Sequence, residues 1–485
     1  MRLFPLILAA ALAGCALSPD DLASDAGAPA DLADHPPSQQ RAHSLSAFRF
    51  GTTSVVADFN GDGLDDVAIG APSETVGGVE QAGAVYIYTM RTTGLAYLQT
   101  VTANTGGFPI ASSGRFGSSL AARDMNGDGK AELVVGCPSC IVSGHVAGAA
   151  FVYRGGSTLT ATSQTISQAM IPGEAPEDGD RFGEDVAIGL FSAGHPSIAI
   201  GVPSELTGSP ALRTGWVDVF AISPTLLATP SQGMNDAAFG PLAQNDFGFK
   251  LVVMDLDDDG TDELVVGSPG TGAFLDVFKG APLAAYQKIA GGGGYGMGLG
   301  VGYWHNAHFP SGHRMPELAA LIQHDNFGFI AMLRPVLAGT AYTLVKSGEI
   351  PDPGANGFAY GDGFGYGHYA AADFDHNGSD ELIVGANDSG DGLDGHVYVF
   401  RSLNGGGMTF WYQRAMKNVP ACAYGPTTGC AFGSSVAAGV FHYPATANGG
   451  DLDMIVGAPI ADRADLYLGD GTHMIPDFDH SIANP

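Results

Sequence analysis

The chain of 485 residues carries 20 basic against 50 acidic residues, a formal charge of −30. That balance excludes nucleic acid and anionic lipid surfaces as natural partners, because both are bound through Lys and Arg. An apolar fraction of 45% and 72 glycines fit a turn-rich all-β chain with a real core.

In chain order, the first segment is "MRLFPLILAAALAGC", with one early Arg2 and an apolar run from Leu3 to Leu12. The run is too short to span a bilayer and reads as a secretory signal over residues 1–14. Its ending, Leu12-Ala13-Gly14-Cys15, resembles the bacterial lipobox. That resemblance implies that Cys15 is lipidated and becomes the mature N-terminus; an ordinary signal peptide cut at small residues is the alternative. Several acyl chains on one cysteine anchor stably where a single chain is marginal. Residues 15–41 are Asp-, Ala- and Pro-rich with no apolar pattern, so they read as a solvated tether. Residues 42–485 form the folded part.

The next feature is "DFNGDGLDD", residues 58–66. Hard cations such as calcium want six to eight oxygen ligands, and the D-x-[DN]-x-[DN]-G pattern supplies side-chain oxygens from loop positions 1, 3 and 5, a turn at glycine 6 and a carbonyl at 7. Those positions are Asp58, Asn60, Asp62, Gly63 and Leu64. An EF-hand adds a glutamate at position 12 on an outgoing helix. Here position 12 is Ile69, inside a β-branched run that reads as a strand, and the acid arrives early as Asp66 at position 9. The same grammar recurs in "DMNGDGKAE" (124–132), "DLDDDGTDE" (255–263) and "DFDHNGSDE" (373–381), each with an acid at position 9: Glu132, Glu263 and Glu381.

The flanks repeat as well. Phe-Gly pairs precede the loops (Phe50, Phe116, Phe247 and Phe364), and an apolar run ending in "IGAP", "VGCP", "VGSP" or "VGAN" follows. Copies starting at Phe182 and Phe432 keep the frame and lose the acids, and a worn copy lies between Tyr295 and Pro316. The repeat length is about 66 residues, which gives seven units. Each unit reads as a small-residue strand, the acidic loop, an apolar strand, a third strand such as "GAVYIY" or "GHVYVF", and a weaker fourth. Four-stranded units repeated radially predict an all-β fold, a seven-bladed β-propeller with four antiparallel strands per blade.

The order Phe-Gly, calcium loop, Gly-Ala-Pro and Val-Tyr-Val-Phe resembles the FG-GAP repeat of the integrin α-subunit head, a seven-bladed propeller, and of related bacterial proteins and some fungal lectins. The resemblance covers residues 50 to about 470. It implies about four calcium sites with these ligands: Asp58, Asn60, Asp62, Leu64 (carbonyl) and Asp66; and Asp124, Asn126, Asp128, Lys130 (carbonyl) and Glu132. The other two sets are Asp255, Asp257, Asp259, Thr261 (carbonyl) and Glu263, and Asp373, Asp375, Asn377, Ser379 (carbonyl) and Glu381.

Four cysteines remain after Cys15, as Cys137 with Cys140 and Cys422 with Cys430. A redox motif or half a zinc site would suit the first pair in the cytosol; export favours local disulfides for both. In a four-stranded meander both staples fall on the face opposite the calcium loops. That face also carries the longest irregular segments, whose aromatics Phe358, Tyr360 and Tyr424 are candidates for ligand contact. His305, His308, His313 and His324 cluster in the worn fifth repeat, but their spacing matches no helical pair, and they read as loop histidines. No nucleophile elbow, His-Glu-x-x-His or phosphate loop is present, so no catalytic residue is assigned and the chain reads as a non-enzyme.

The function expected from these features is a calcium-stabilised, surface-tethered recognition module, monomeric, binding an extracellular protein or matrix partner. Its membrane contact is through the lipid anchor alone. A glycan-binding lectin is the alternative within binding proteins, and an enzyme acting on a polysaccharide comes third.

Overall fold

The computed structural model describes most of residues 50–483. Residues 1–49, 484–485 and a set of internal stretches, the longest being 352–363, 387–394, 416–431, 440–452 and 469–476, lie outside the described residues. Seven four-stranded antiparallel sheets follow one another along the chain, each a meander, and they make the seven blades of a β-propeller. Blade 1 runs through Thr53–Ala57, Asp66–Ala71, Ala84–Arg91 and Gly94–Val101. Blade 7 ends the chain with Val436–Gly439, Asp453–Ala458, Arg463–Leu468 and Asp477–Ala483. In blade 5 a short segment, Gly367–His368, adds in parallel beside the first strand, Gly298–Gly302.

The second strands explain the apolar runs seen in the sequence. "DVAIGA", "ELVVGC", "ELIVGA" and "DMIVGA" are buried at every position, because each lies inside its own sheet and is covered by sheets on both faces. A strand with no wet face loses the polar alternation of a half-exposed one. The fourth strands sit at the outer edge and alternate: in Thr160–Ile166 buried and exposed residues mix along the strand.

The glycines of both repeat signatures meet at the seams between blades. The second-strand glycines Gly136 and Gly201 face Gly183 and Gly248 of the next Phe-Gly pair, and a Cβ on Gly201 would stand 2.0 Å from the Gly248 carbonyl oxygen. Only a residue without a side chain allows that approach. The phenylalanines beside them, Phe50, Phe116, Phe182, Phe247, Phe364 and Phe432, are all buried. Where the third strand offers an aromatic, the phenylalanine packs edge-to-face on it, as Phe50 does on Tyr86 at 5.4 Å and Phe116 on Phe151 at 5.3 Å.

Ring closure repeats this seam without exchanging a strand. Gly457 of blade 7 faces Gly51 of blade 1, again with 2.0 Å between a hypothetical Cβ and the carbonyl oxygen. Ser435 Oγ donates to the Gly51 carbonyl at 2.9 Å, as Thr53 Oγ1 does to Gly117 at 2.8 Å and Ser119 Oγ to Gly183 at 3.0 Å. Ile455, Ala464 and Leu466 complete the seam by packing into the apolar cluster of blade 1.

Candidate metal centre

The four acidic loops join first strand to second strand in blades 1, 2, 4 and 6, and they share one geometry. The position-1 aspartate gathers the loop's own backbone N–H groups: Asp58 accepts from Gly61 and Gly63 at 2.6 and 2.8 Å, and Asp124 from Gly127 and Gly129 at 2.7 and 2.9 Å. Asp255 accepts from Gly260 at 3.0 Å and Asp373 from Gly378 at 2.9 Å. The position-5 side chain accepts from the N–H of position 7, as an Asx turn requires. The pairs are Leu64 on Asp62, Lys130 on Asp128, Thr261 on Asp259 and Ser379 on Asn377, at 2.8 to 3.1 Å.

The position-9 acid opens the second strand, paired with the last residue of the first, and is fully buried in every loop. One of its oxygens accepts the position-2 backbone N–H: Phe59 to Asp66 at 3.1 Å, Met125 to Glu132 at 2.8 Å, Leu256 to Glu263 at 2.6 Å and Phe374 to Glu381 at 2.9 Å. The loop is thus clipped shut at both ends. In blades 1 and 2 the other oxygen receives the amide of Asn60 or Asn126.

Burying carboxylates this way favours their neutral form. Burial pushes Asp66 up to about 6 and Glu263 up to about 7. Burial, joined by the charge of Asp375, pushes Glu381 up to about 8. Burial also raises Glu132, Asp255 and Asp373. The ligand oxygens of Asp255, Asp257 and Glu263 lie within 4.8 Å of one another, as do those of Asp373, Asp375 and Glu381. Oε1 of Glu381 is buried with no hydrogen-bond partner, and so is Oδ1 of Asp257. An all-oxygen set converging on one point, with buried oxygens unpartnered, fits a hard divalent cation.

Two features escaped the sequence. Lys279, on the third strand of blade 4, reaches into that blade's loop: its ammonium pairs with Asp257, with Asp259 at 3.1 Å and with Glu263 at 3.2 Å. Blade 4 therefore carries a cation of its own at the loop. Second, the repeats expected to have lost their acids keep one. Glu317 in blade 5 and Asp453 in blade 7 are buried at the strand position of the position-9 acid, opposite Gly302 and Gly439. Blade 3 alone changes it, to Ser197.

The histidines do not converge. His305 Nδ1 lies 2.5 Å from Glu317, while His313 Nδ1 lies 2.6 Å from Asp258 of the blade 4 loop. His308 makes a backbone bridge to Arg314, and the side chain of His324 lies outside the described residues. At the other end of the second strand from the loop, Cys137 and Cys140 are joined with their sulfurs 2.02 Å apart. Cys15, Cys422, Cys430, Phe358, Tyr360 and Tyr424 lie outside the described residues.

With loop and seam geometry in hand, similarity to known proteins falls in the same places. Residues 50–88 and 116–153 match the FG-GAP repeat. These stretches take in the Phe-Gly pair, acidic loop and second and third strands of blades 1 and 2. Integrin alpha-PS5 of Drosophila melanogaster is 32% identical over 160 residues, 32% of this chain and 15% of that protein. Integrin alpha-5 of Xenopus laevis is 30% identical over 255 residues, 50% of this chain and 22% of that protein. Phosphatidylinositol-glycan-specific phospholipase D of Mus musculus is 37% identical over 139 residues, 27% of this chain and 16% of that enzyme. Among solved structures, Saccharomyces cerevisiae Sqt1 aligns with a TM-score of 0.41 at 10% identity, over 90% of this chain and all of that one. The chain spans less than a quarter of the length of the three curated relatives. Repeat and integrin α similarity together support an integrin-like β-propeller.

Proposed function

We propose that this chain is a calcium-stabilised recognition or adhesion module, tethered to the cell surface, that binds a protein or matrix partner without catalysis. The observation that carries the reading is the set of four like-patterned loops, each with a fully buried position-9 acid and those of blades 4 and 6 with converging carboxylates, set in a propeller similar to integrin α heads. Calcium would be held by the position 1, 3, 5 and 9 side chains and the position-7 carbonyl of each loop. What it supplies there is charge that the buried acids lack. Export and lipidation at Cys15 would place the propeller outside the cell on its tether, acting as a monomer. Among the described residues no helix is long and apolar enough to cross a membrane.

On this reading the loop face is structural and the opposite face, stapled by Cys137–Cys140, binds. Constrained loops lose less entropy on engaging a partner. Substituting Phe358, Tyr360 or Tyr424 by Ala is expected to weaken binding to a calcium-dependent partner about tenfold each, the range of an interface aromatic, with the melting temperature unchanged. Asp58→Ala is expected to shift melting first. Surface plasmon resonance and thermal melts on the same panel decide it, beside a glycan array that reports the lectin alternative. Loss of binding by the loop variants at full stability would place the ligand on calcium itself and defeat the division of faces.

Lys279 provides a separate check. Replacing it with Met leaves the blade 4 acids without their ammonium, so Lys279→Met is expected to raise calcium affinity at that loop about tenfold or more, since one charge-assisted contact is worth roughly 1.5–3 kcal/mol. Calorimetric titration reads it directly. Unchanged affinity would mean that the lysine does not compete for the loop.

A further inference from the structure

The first strands of the seven blades stand side by side round the propeller axis. They run from Thr53–Ala57 through Ser119–Arg123, Val186–Ser192, Lys250–Met254, Gly298–Gly302 and Ala370–Ala372 to Val436–Gly439, which returns to the first. Beside them lies a cavity of about 330 Å³. Much of its wall is small and apolar, with Val55, Leu120, Ala370 and Ala437 among the lining residues. The size falls at the lower end of the range for small-molecule sites.

The polar part of the lining comes from the start of each strand, two residues after the glycine of the Phe-Gly pair. The repeats of blades 1, 2 and 7 place Thr53, Ser119 and Ser435 there, and those of blades 5 and 6 place Gly298 and Gly367. Blades 3 and 4 break the series with Asp185 and Lys250. Among the described residues these two are the only charged side chains on the cavity wall. Asp185 is 1% exposed and accepts the backbone N–H of Leu251 at 2.8 Å. The Lys250 ammonium lies 3.6 Å from Asp185 Oδ1, close enough to neutralise it and too far for a hydrogen bond, so the carboxylate does not take up its N–H groups.

The hydroxyls of the wall are placed the other way. Across the seams Thr53 donates to the Gly117 carbonyl at 2.8 Å, Ser119 to Gly183 at 3.0 Å and Ser435 to Gly51 at 2.9 Å. Ser118 donates to the Arg115 carbonyl at 2.8 Å and Tyr369 to Gly365 at 2.7 Å. A hydroxyl has a single proton to give. With that proton on a backbone carbonyl, each of these oxygens, all on lining residues, can only accept. Together these side chains make a wall rich in acceptors, with one ammonium to donate and no net charge.

We infer that the axial cavity binds a neutral polyhydroxylated small molecule, the size of one monosaccharide ring. An anion would meet the lone pairs of the hydroxyl oxygens, and an amine would meet the Lys250 ammonium. A hydroxyl both donates to those oxygens and accepts from Lys250 at a single atom, so several on one small ring match the wall. The site is separate from the irregular segments of the opposite face, and it holds whichever partner those take.

Saturation-transfer difference NMR on the full calcium-loaded chain tests this, with glucose, galactose and mannose as probes. At least one of the three is expected to bind saturably with a dissociation constant of about 1 mM, the strength that about a dozen non-hydrogen atoms reach at ordinary ligand efficiency. The double variant Asp185→Asn/Lys250→Met leaves no unpaired charge in the wall and should weaken that binding about tenfold or more, since it removes a charged donor. Phe358→Ala and Tyr424→Ala should leave it unchanged, so failure at the opposite face and failure of this site are read separately. A trisaccharide ending in the bound sugar tells a free sugar from a glycan chain end, and binding of either supports the site. If the double variant does not fold, Ser118→Ala at the half-exposed rim decides, with an expected weakening of about threefold. No saturable transfer to any of the three sugars would overturn the inference, as would a folded double variant, or Ser118→Ala in its place, that binds like the wild type. Binding of glucuronate or glucosamine alone would also overturn it, making the cavity a site for a charged ligand.

Discussion

Stripping calcium with EDTA at pH 8 is expected to lower the melting temperature of this chain by roughly 10 °C or more. Each filled loop at calcium 100-fold above its dissociation constant adds about 2.7 kcal/mol, and four loops act on one cooperative ring, where a kcal/mol is worth about a degree or two at this size. The effect should shrink at pH 6, and the sign follows from the buried acids. In the metal-free protein Asp66, Glu263 and Glu381 have folded pKa values raised to about 6, 7 and 8. Groups raised on folding bind more protons folded than unfolded, so metal-free stability falls as pH climbs through that window and is regained as it drops. Calcium needs the same carboxylates ionised, so protons and calcium compete. Differential scanning calorimetry at both pH values, with and without EDTA, measures this. Equal melting of loaded and stripped protein at pH 8 would remove calcium from the account.

The second large effect is expected at the ring seam. Gly457→Ala should cost about 3 kcal/mol or more, beyond the usual range for overpacking, because its Cβ meets the backbone carbonyl of Gly51 at 2.0 Å and not a side chain that can swing away. Gly63→Ala is the control. That residue has a left-handed backbone, φ +85, which Gly457 does not, but nothing lies within 4 Å of its Cβ, so it should lose only the conformational term, about 1–2 kcal/mol. Denaturant melts rank the two. If Gly457→Ala costs no more than Gly63→Ala, the seam contact is incidental.

Much of this was readable from residue order because a repeat prints its local chemistry seven times. The loop grammar of Asp58 to Asp66 predicted a turn that closes on itself before a strand, and the structure has Asp66 clipped to Phe59 in that way. The seven four-stranded blades follow from the spacing of the Phe-Gly pairs. What resisted reading depends on strand register. Lys279 stands well beyond the loop whose acids it meets, and only the pairing of second and third strands brings them together. Glu317 was hidden because blade 5 carries a longer segment between its first two strands, which moves the acid out of the nine-residue frame. The histidines His305 and His313 are near in sequence, yet one turns to its own blade and the other to the blade before. Nor did the sequence say how the ring closes, since Gly51 and Gly457 stand at opposite ends of the folded chain and meet only in the closed structure.

The central claim is that the four acidic loops hold calcium, and counting bound metal tests it most directly. Equilibrium dialysis of the full chain against calcium, read by mass spectrometry of the metal, is to be done for the wild type and for Asp58→Ala, Asp124→Ala, Asp255→Ala and Asp373→Ala. About four ions are expected in the loops, with each variant losing about one while its far-ultraviolet circular dichroism stays that of the folded propeller. A wild type that retains no calcium, or four variants that retain as much as the wild type, would contradict the account.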